Sequence, residues 1–349
     1  MDFNVSDVMR VAMYYNNSDV RMEEMPLPEV SSKELLVKVI SSGICGSDVM
    51  EWYRIKRAPL VLGHEITGEV VKVGEDVKTY SEGDRVFVSH HVPCNRCRYC
   101  LDGRYTVCDT LHTTNFYPGG FTEYILVPEI NVDRGVFLLP EEISFEDGTF
   151  IEPLACVLHA QRMVNLRAGQ SVLVIGSGIS GLLHIRLAKA LGAARIFATD
   201  ISEYRLNMAK ISGAHASMNA EEGVPERLKQ LNDGRLVDLV IVCTGATSVI
   251  DQALKSVDRG GTILFFAPSK PDVTIPLPLN DFWRNEITVT TSYAASPSDI
   301  ITSIGLLQSK RVEVSDLITH RLSLSEAGEG FKLVESGGES VKVIIEPQR

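Results

Sequence analysis

The sequence predicts an α/β chain of two parts: a doubly wound parallel sheet, and a second region organised around metal-ligand side chains. Three observations predict it. A short apolar run at 170–175, QSVLVI, leads straight into Gly176-Ser177-Gly178-Ile179-Ser180-Gly181 and a helical pattern. Strand-like and helix-like segments then keep alternating to about residue 291. Upstream, Cys94, Cys97, Cys100 and Cys108 fall within fifteen residues, flanked on both sides by further Cys, His and Glu.

At 349 residues the chain is long enough for two domains with substantial cores. The first residues, MDFNVSDVMRVAMYY, carry acids early and lack an apolar core behind positive charge, so no secretory leader is expected. No apolar run approaches the ~18 residues of a membrane helix. A net charge of −11 argues against a nucleic-acid surface, which needs clustered Lys and Arg. A cytoplasmic protein is therefore expected, and in a reducing compartment clustered cysteines are more often metal ligands than disulfides.

The four clustered cysteines have the spacing C-x2-C-x2-C-x7-C. Four thiolates close a tetrahedral shell around Zn²⁺ and leave no open position, so the expected site is structural. An iron–sulfur cluster fits less well, because the bacterial ferredoxin run has three residues and then Cys-Pro after its third cysteine. Buried unliganded thiols would not sit among Asn95, Arg96, Arg98 and Asp102. A lobe this polar, at about residues 90–110, buries little apolar surface, so the metal itself has to hold it.

A second constellation is spread along the chain: Cys45 in GICGSD, His64 and Glu65 in LGHE, and Glu152 in FIEP. One thiolate, one imidazole and one carboxylate make a three-ligand zinc site with a fourth position free, as catalytic zinc requires. Singly, each residue has a plainer explanation, since an isolated Cys is usually a small buried hydrophobe. On a regular strand His64 and Glu65 would point to opposite faces, and both could reach one metal only if Gly63 let the backbone turn. The expected set is accordingly Cys45, His64 and Glu152, with Glu65 either a ligand or an exchangeable outer group. Asp48 either accepts the spare ring N–H of His64 or caps a turn.

In the second half, RIFATD at 195–200 ends in Asp200, nineteen residues after Gly181. A lone GxGxxG is weak evidence, but inside strand–turn–helix–strand with that acid it is a strong sign of a dinucleotide-binding unit. Gly176, Gly178 and Gly181, with Ile179 and Ser180 opening the helix, let the backbone approach a pyrophosphate. Asp200 would accept from ribose hydroxyls and repel a 2′-phosphate, which favours NAD over NADP. Arg205 is read either as a ribose or phosphate contact or as an exposed helix arginine. Further strands are expected at 237–243, 261–266, 287–291 and 341–345, with helices around 204–211 and 249–257. Thr244 and Gly245 follow a strand end, where such a sheet borders its cofactor.

Taken in order, GICGSD, GHEITGEVVKVGEDV, the cysteine lobe, GGFTEY, EPLACVLHA and GSGISG resemble the zinc-dependent medium-chain dehydrogenase/reductase family over nearly the whole chain. With Glu152 where alcohol dehydrogenases carry a cysteine, the resemblance is nearest the polyol, sorbitol and threonine dehydrogenase branch. It implies a GroES-like, mostly β catalytic domain at 1–155 and 295–349, split around a Rossmann domain at 156–294, and a homodimer or homotetramer. It also implies two zinc ions per chain and hydride transfer between NAD and a secondary alcohol of a polyol, sugar or related small hydroxy compound. Amino alcohols and phosphorylated polyols remain alternatives. Ser47, two residues after Cys45, matches the family's proton-relay hydroxyl. The relay histidine that often follows is replaced here by Met50, which carries no proton. Between the motifs, Tyr53, Arg54, Lys56 and Arg57 form either a solvated basic loop or the border of a cleft for an anionic substrate.

Rival classes use less of the sequence. A zinc-free reductase has no need of Cys45, His64 and a carboxylate. A sensor that binds NAD without turnover has no need of an open metal site.

Overall fold

A computed structural model of the chain describes residues 7–349; the expectation of no leader rests partly on residues 1–6, which lie outside them. The chain divides into two compact units, Met1–Glu152 with Ala295–Arg349, and Pro153–Ala294. The first joint lies inside the helix Ile151–Met163.

The first unit begins with strands β1 (Val8–Asn16), β2 (Asp19–Pro26), β3 (Leu35–Gly43), β4 (Leu60–Val61), β5 (Glu65–Val73), β6 (Arg85–Val88), β7 (Tyr124–Val127) and β8 (Val136–Leu138). The second unit holds β9 (Ser171–Ile175), β10 (Arg195–Asp200), β11 (Ala216–Asn219), β12 (Val237–Val242), β13 (Val257–Phe265) and β14 (Thr288–Thr291). The chain then returns to the first unit for β15 (Ile318–Ser323) and β16 (Lys342–Glu346).

In the first unit the main sheet runs β15-β16-β3-β5-β6-β8, with β7 also paired to β3, and a smaller sheet runs β2-β1-β4. This is the mostly β, GroES-like half. β3 and β5 read LLVKVISSG and EITGEVVKV, and the faces turned inward bury Leu35, Val37, Val39, Ile66 and Val70 together with Val86 and Val88 of β6. A separate core of Tyr14, Ile44, Phe121, Phe331, Val343 and Ile345 packs the C-terminal elements against β1. Through β16 the last residues of the chain lie beside β3, with Ile344 opposite Gly43 and Ile345 opposite Ser42. The tail therefore reaches the segment that opens into Cys45.

In the second unit the sheet order is β11-β10-β9-β12-β13-β14, every pairing parallel. This is the 3-2-1-4-5-6 order of a doubly wound dinucleotide fold. β9 is buried at every residue, as a central parallel strand must be when helices cover both faces. The reversal of strand order falls at the end of β9, where Gly176 follows with φ +92°. β11, reading ASMN, has no apolar run and is absent from the sequence-based strands. β13 begins four residues earlier than expected, at Val257.

Candidate metal centres and dinucleotide site

The cysteine lobe is built from short pieces: the helix Arg98–Leu101, a 3₁₀ turn at Tyr105–Val107 and the helix Asp109–Thr113. Leu101 is 76% exposed and Val107 46%, while Leu111 at the end of the lobe is fully buried, so apolar burial anchors the last helix and leaves the cysteine loop to its ligands. No disulfide forms, and all seven cysteines are free. The sulfurs of Cys94, Cys97, Cys100 and Cys108 lie within 4.8 Å of one another. Cys97 and Cys100 are 3.6 Å apart, and Cys94 and Cys100 3.9 Å. Zinc–sulfur bonds of about 2.3 Å in a tetrahedron put sulfurs about 3.8 Å apart, so the set fits zinc without rearrangement. Backbone N–H groups of Cys97 and Arg96 point at the Cys94 sulfur, and that of Cys94 at the Cys108 sulfur.

Crowding splits the thiols. Burial and the neighbouring thiols push Cys100 up to about 12. Burial also opposes ionisation of Cys108, but N–H groups and thiols around it prevail and bring it down to about 6. Four thiolates at this spacing need a cation to coexist. Cys97→Ser is therefore expected to remove one zinc per chain and to lower folding free energy by more than about 3 kcal/mol, read by metal analysis and thermal melting.

The second set is Cys45, His64 and Glu65, whose ligand atoms also lie within 4.8 Å of one another. Glu152, in the first turn of its helix, is not part of this group. The obstacle to pairing His64 with Glu65 is removed as the sequence allowed: β5 starts only at Glu65, and Gly63 has φ +93°. His64 thus precedes the strand, and the opposite-faces rule does not bind it. A Cβ on Gly63 would lie 2.9 Å from the Phe121 backbone nitrogen, so the turn is closed to other residues in both conformation and space.

Asp48 lies between the backbone of Cys45 and the ring of His64. It is fully buried; its Oδ2 accepts from the Cys45 N–H at 3.0 Å, and its Oδ1 faces His64 Nδ1 at 3.4 Å. Nδ1 being so placed, Nε2 is left for a metal. Burial pushes the Asp48 carboxyl up, but His64, Arg54 and the Cys45 N–H outweigh it and leave the pKa lowered. Burial presses His64 down, yet Asp48 and Cys45 hold its imidazole well above its ordinary value. A divalent cation at this imidazole therefore competes with a proton for it. The rings of His90 and His91 lie tilted beside this site, with ring centroids 4.8 Å from His64 to His90 and 3.8 Å from His90 to His91. Burial, with positive neighbours, brings His91 down to about 3 and His90 well below its usual value, so both rings are neutral.

Two partners of the site were not anticipated from sequence. Lys342 on β16 is wholly buried and donates to Glu65 Oε2. Its ammonium also lies 5.5 Å from the Phe150 ring centroid. Gly43 makes room for the pair: a Cβ there would come within 2.6 Å of Lys342 Cε and closer still to Glu65 Oε2. The available signal was a single charge in the apolar run VKVII. The other partner is Arg54, one of four residues read either as a solvated loop or as the border of a substrate cleft. Lys56 and Arg57 are exposed, whereas the Arg54 side chain is only 15% exposed and is bound to Ser47 and Asp48.

In the second unit, Gly178 ends the loop ahead of the helix Ile179–Ala190 and provides no side-chain cap, so the first N–H groups of that helix, including those of Ser180 and Gly181, remain available. A Cβ on Gly178 meets nothing within 4 Å, which leaves the approach open to a pyrophosphate, while one on Gly181 would fall 2.0 Å from the Gly176 carbonyl. Asp200 closes β10 at 7% exposure; its carboxylate accepts from the Ser177 N–H at 2.8 Å and from the Ser202 N–H at 3.0 Å. It therefore reaches directly over the glycine loop. Arg205 is half-buried rather than exposed, and its Nε is buried with no hydrogen-bond partner. Thr244 and Gly245 follow β12, with the Thr244 hydroxyl accepting from the Ala246 N–H.

A split β half carrying a closed cysteine site and an open Cys/His/Glu site, and a glycine-looped parallel sheet, together define a zinc-binding dehydrogenase. Residues 31–140 match the alcohol dehydrogenase GroES-like domain, and residues 180–309 the zinc-binding dehydrogenase domain. Sorbitol dehydrogenase of Bacillus subtilis (strain 168) is 31% identical, over all of both chains. D-xylulose reductase A of Aspergillus oryzae is 33% identical, over 93% of each. Among solved structures, a Sinorhizobium meliloti 1021 dehydrogenase bound to NADP superposes with a TM-score of 0.88, at 27% identity, covering 98% of this chain and 100% of that one. The chain belongs to the zinc-dependent medium-chain alcohol and polyol dehydrogenase family, and it is an oxidoreductase. No described helix is long and apolar enough to cross a membrane.

Proposed function

We propose that this chain oxidises a secondary hydroxyl of a polyol or related small hydroxy compound with NAD, using a zinc ion held by Cys45, His64 and Glu65. The observation that carries the reading is the convergence of those three side chains within 4.8 Å, backed by buried Asp48. Residues 1–152 and 295–349 take the catalytic role, and 153–294 the cofactor role. The names of the sorbitol and xylulose relatives support the substrate class.

When bound, zinc supplies the positive charge that makes a coordinated hydroxyl acidic near neutral pH, and NAD supplies the hydride acceptor. The residues do the rest. Asp48 fixes the His64 tautomer, and Lys342 restrains Glu65. Ser47 offers its hydroxyl to the substrate oxygen beside Cys45, toward whose sulfur its own N–H points at 3.4 Å. Glu65 is preferred over Glu152 as the carboxylate because it already stands with the other two. A second, closed zinc on Cys94, Cys97, Cys100 and Cys108 is structural.

The Asp200 carboxylate at the end of β10 supports NAD, since it would accept from ribose hydroxyls and repel a 2′-phosphate. Arg205, with its unpartnered Nε, is a nearby group that favours NADP. The family resemblance supports a homodimer or homotetramer, and the clustering of cysteines with metal-ligand spacing supports a reducing compartment such as the cytoplasm.

The test is reduction of NAD⁺ and NADP⁺, followed by absorbance, over sorbitol, xylitol, inositols, threonine, simple alcohols and sugar phosphates. We expect NAD⁺-dependent turnover with an unphosphorylated polyol, lost on chelation and restored by zinc. Turnover confined to threonine, or unaffected by a chelator that removes both zincs, would refute the proposal.

A further inference from the structure

Met50 carries no exchangeable proton, so the outward neighbour of Ser47 has to be something else. The structure supplies one. The helix Glu51–Arg54 turns the chain back, and Arg54 reaches Ser47 twice: Nη2 donates to Oγ at 3.0 Å and Nε to the backbone carbonyl at 3.0 Å. Nη2 also lies 3.4 Å from Asp48 Oδ1, and the guanidinium carbon stands 4.7 Å from the Tyr53 ring centroid. Four contacts on a side chain only 15% exposed fix the guanidinium in one place.

A guanidinium is donor-only and does not lose its proton in proteins. Toward Arg54 the Ser47 oxygen can therefore only accept, and its own hydrogen has to point elsewhere. A histidine in that place could accept the hydroxyl's proton; an arginine forbids it. That hydrogen needs an acceptor other than Arg54, and the reacting oxygen is the acceptor that the dehydrogenase reading supplies.

We propose that Arg54 is a positioning residue: by holding the outward side of the Ser47 hydroxyl it turns that hydroxyl's hydrogen toward the substrate oxygen. The inference rests on the dehydrogenase reading above. Ser47 then serves this enzyme as a fixed hydrogen-bond donor to the alkoxide oxygen; the proton that the alcohol loses passes to water, the hydride to NAD⁺, and no proton leaves through residue 54. Arg54 is occupied by this task and is not a receptor for an anionic substrate.

The experiment is a double-mutant cycle in zinc-loaded enzyme with its best polyol and NAD⁺, comparing Arg54→Ala, Ser47→Ala and the double variant. Arg54→Ala is expected to lower kcat roughly 10- to 100-fold with little change in KM, as loss of a charge-assisted hydrogen bond does. In the Ser47→Ala background the same change is expected to cost less than about 2-fold more. Arg54→Lys, which keeps a donor, recovers part of the rate and guards against a folding artefact. Zinc content and the NADH dissociation constant stay at wild-type values, and in metal-free protein the two single losses of melting temperature are non-additive. Additive kcat losses, or a loss confined to KM and to phosphorylated substrates, would overturn the proposal and leave the dehydrogenase reading intact. A zinc-loaded wild type that oxidises no alcohol would sink both.

Discussion

Cys45→Ser is expected to lower turnover at least roughly a thousandfold, equivalent to about 4 kcal/mol of lost transition-state stabilisation. The protein should still fold and bind dinucleotide. The reasons are local. Cys45 is the only thiol in its set, and among the described residues no other cysteine sulfur lies with His64 and Glu65. A hydroxyl is a poor substitute for a thiolate ligand, so zinc content should fall from two per chain to one, the remaining ion on the cysteine lobe. Dinucleotide binding is expected to persist because Gly176, Gly178 and Asp200 belong to the other unit. The variant is checked by metal analysis, by kcat, and by NADH fluorescence titration. An active Cys45→Ser enzyme would remove the site assignment.

The second large effect is expected at Lys342. Glu65 is 1% exposed and Lys342 is 0% exposed, so each desolvated charge depends on the other. Lys342→Met removes the ammonium and leaves a buried carboxylate, a change that costs about 3–5 kcal/mol. For a unit of this size that corresponds to a melting temperature lower by roughly 10 °C. The loss should be larger in metal-free protein than in zinc-loaded protein, because zinc gives Glu65 another cationic partner. Glu65→Gln added to Lys342→Met should restore part of the stability by removing the orphaned charge. Equal losses with and without zinc would show that Glu65 does not serve the metal.

The parallel sheet was legible in the sequence for a simple physical reason. Strands buried on both faces, such as SVLVI and VDLVIV, are unbroken apolar runs, and the glycine loop punctuates them. β11 escaped because an edge strand of four residues needs no such run. The β half was legible only through resemblance to its family: β3, β5 and β6 alternate weakly and pair over long separations that no local pattern encodes. The cysteine lobe could be read directly, since its ligands lie close together along the chain.

The members of the Cys/His/Glu set were legible in the sequence, with the carboxylate left between Glu152 and Glu65. Sequence reasoning favoured Glu152 because strand geometry would separate Glu65 from His64. The structure starts β5 one residue later and bends at Gly63, which brings Glu65 in and leaves Glu152 outside the group. Lys342 and Arg54 were out of reach for a different reason. Lys342 meets Glu65 across 277 residues of chain, and only the pairing of β16 with β3 brings them together. Arg54 looked like one cation in a basic loop, and its bonds to Ser47 depend on how the helix Glu51–Arg54 folds back.

The most direct test of a zinc dehydrogenase with these two sites is an anomalous difference map at the zinc absorption edge, from crystals of enzyme shown to be active. Two peaks per chain are expected, one among Cys94, Cys97, Cys100 and Cys108, the other touching Cys45, His64 and Glu65. A single peak at the cysteine lobe, from protein that still oxidises its alcohol, would contradict the catalytic role given to the second site.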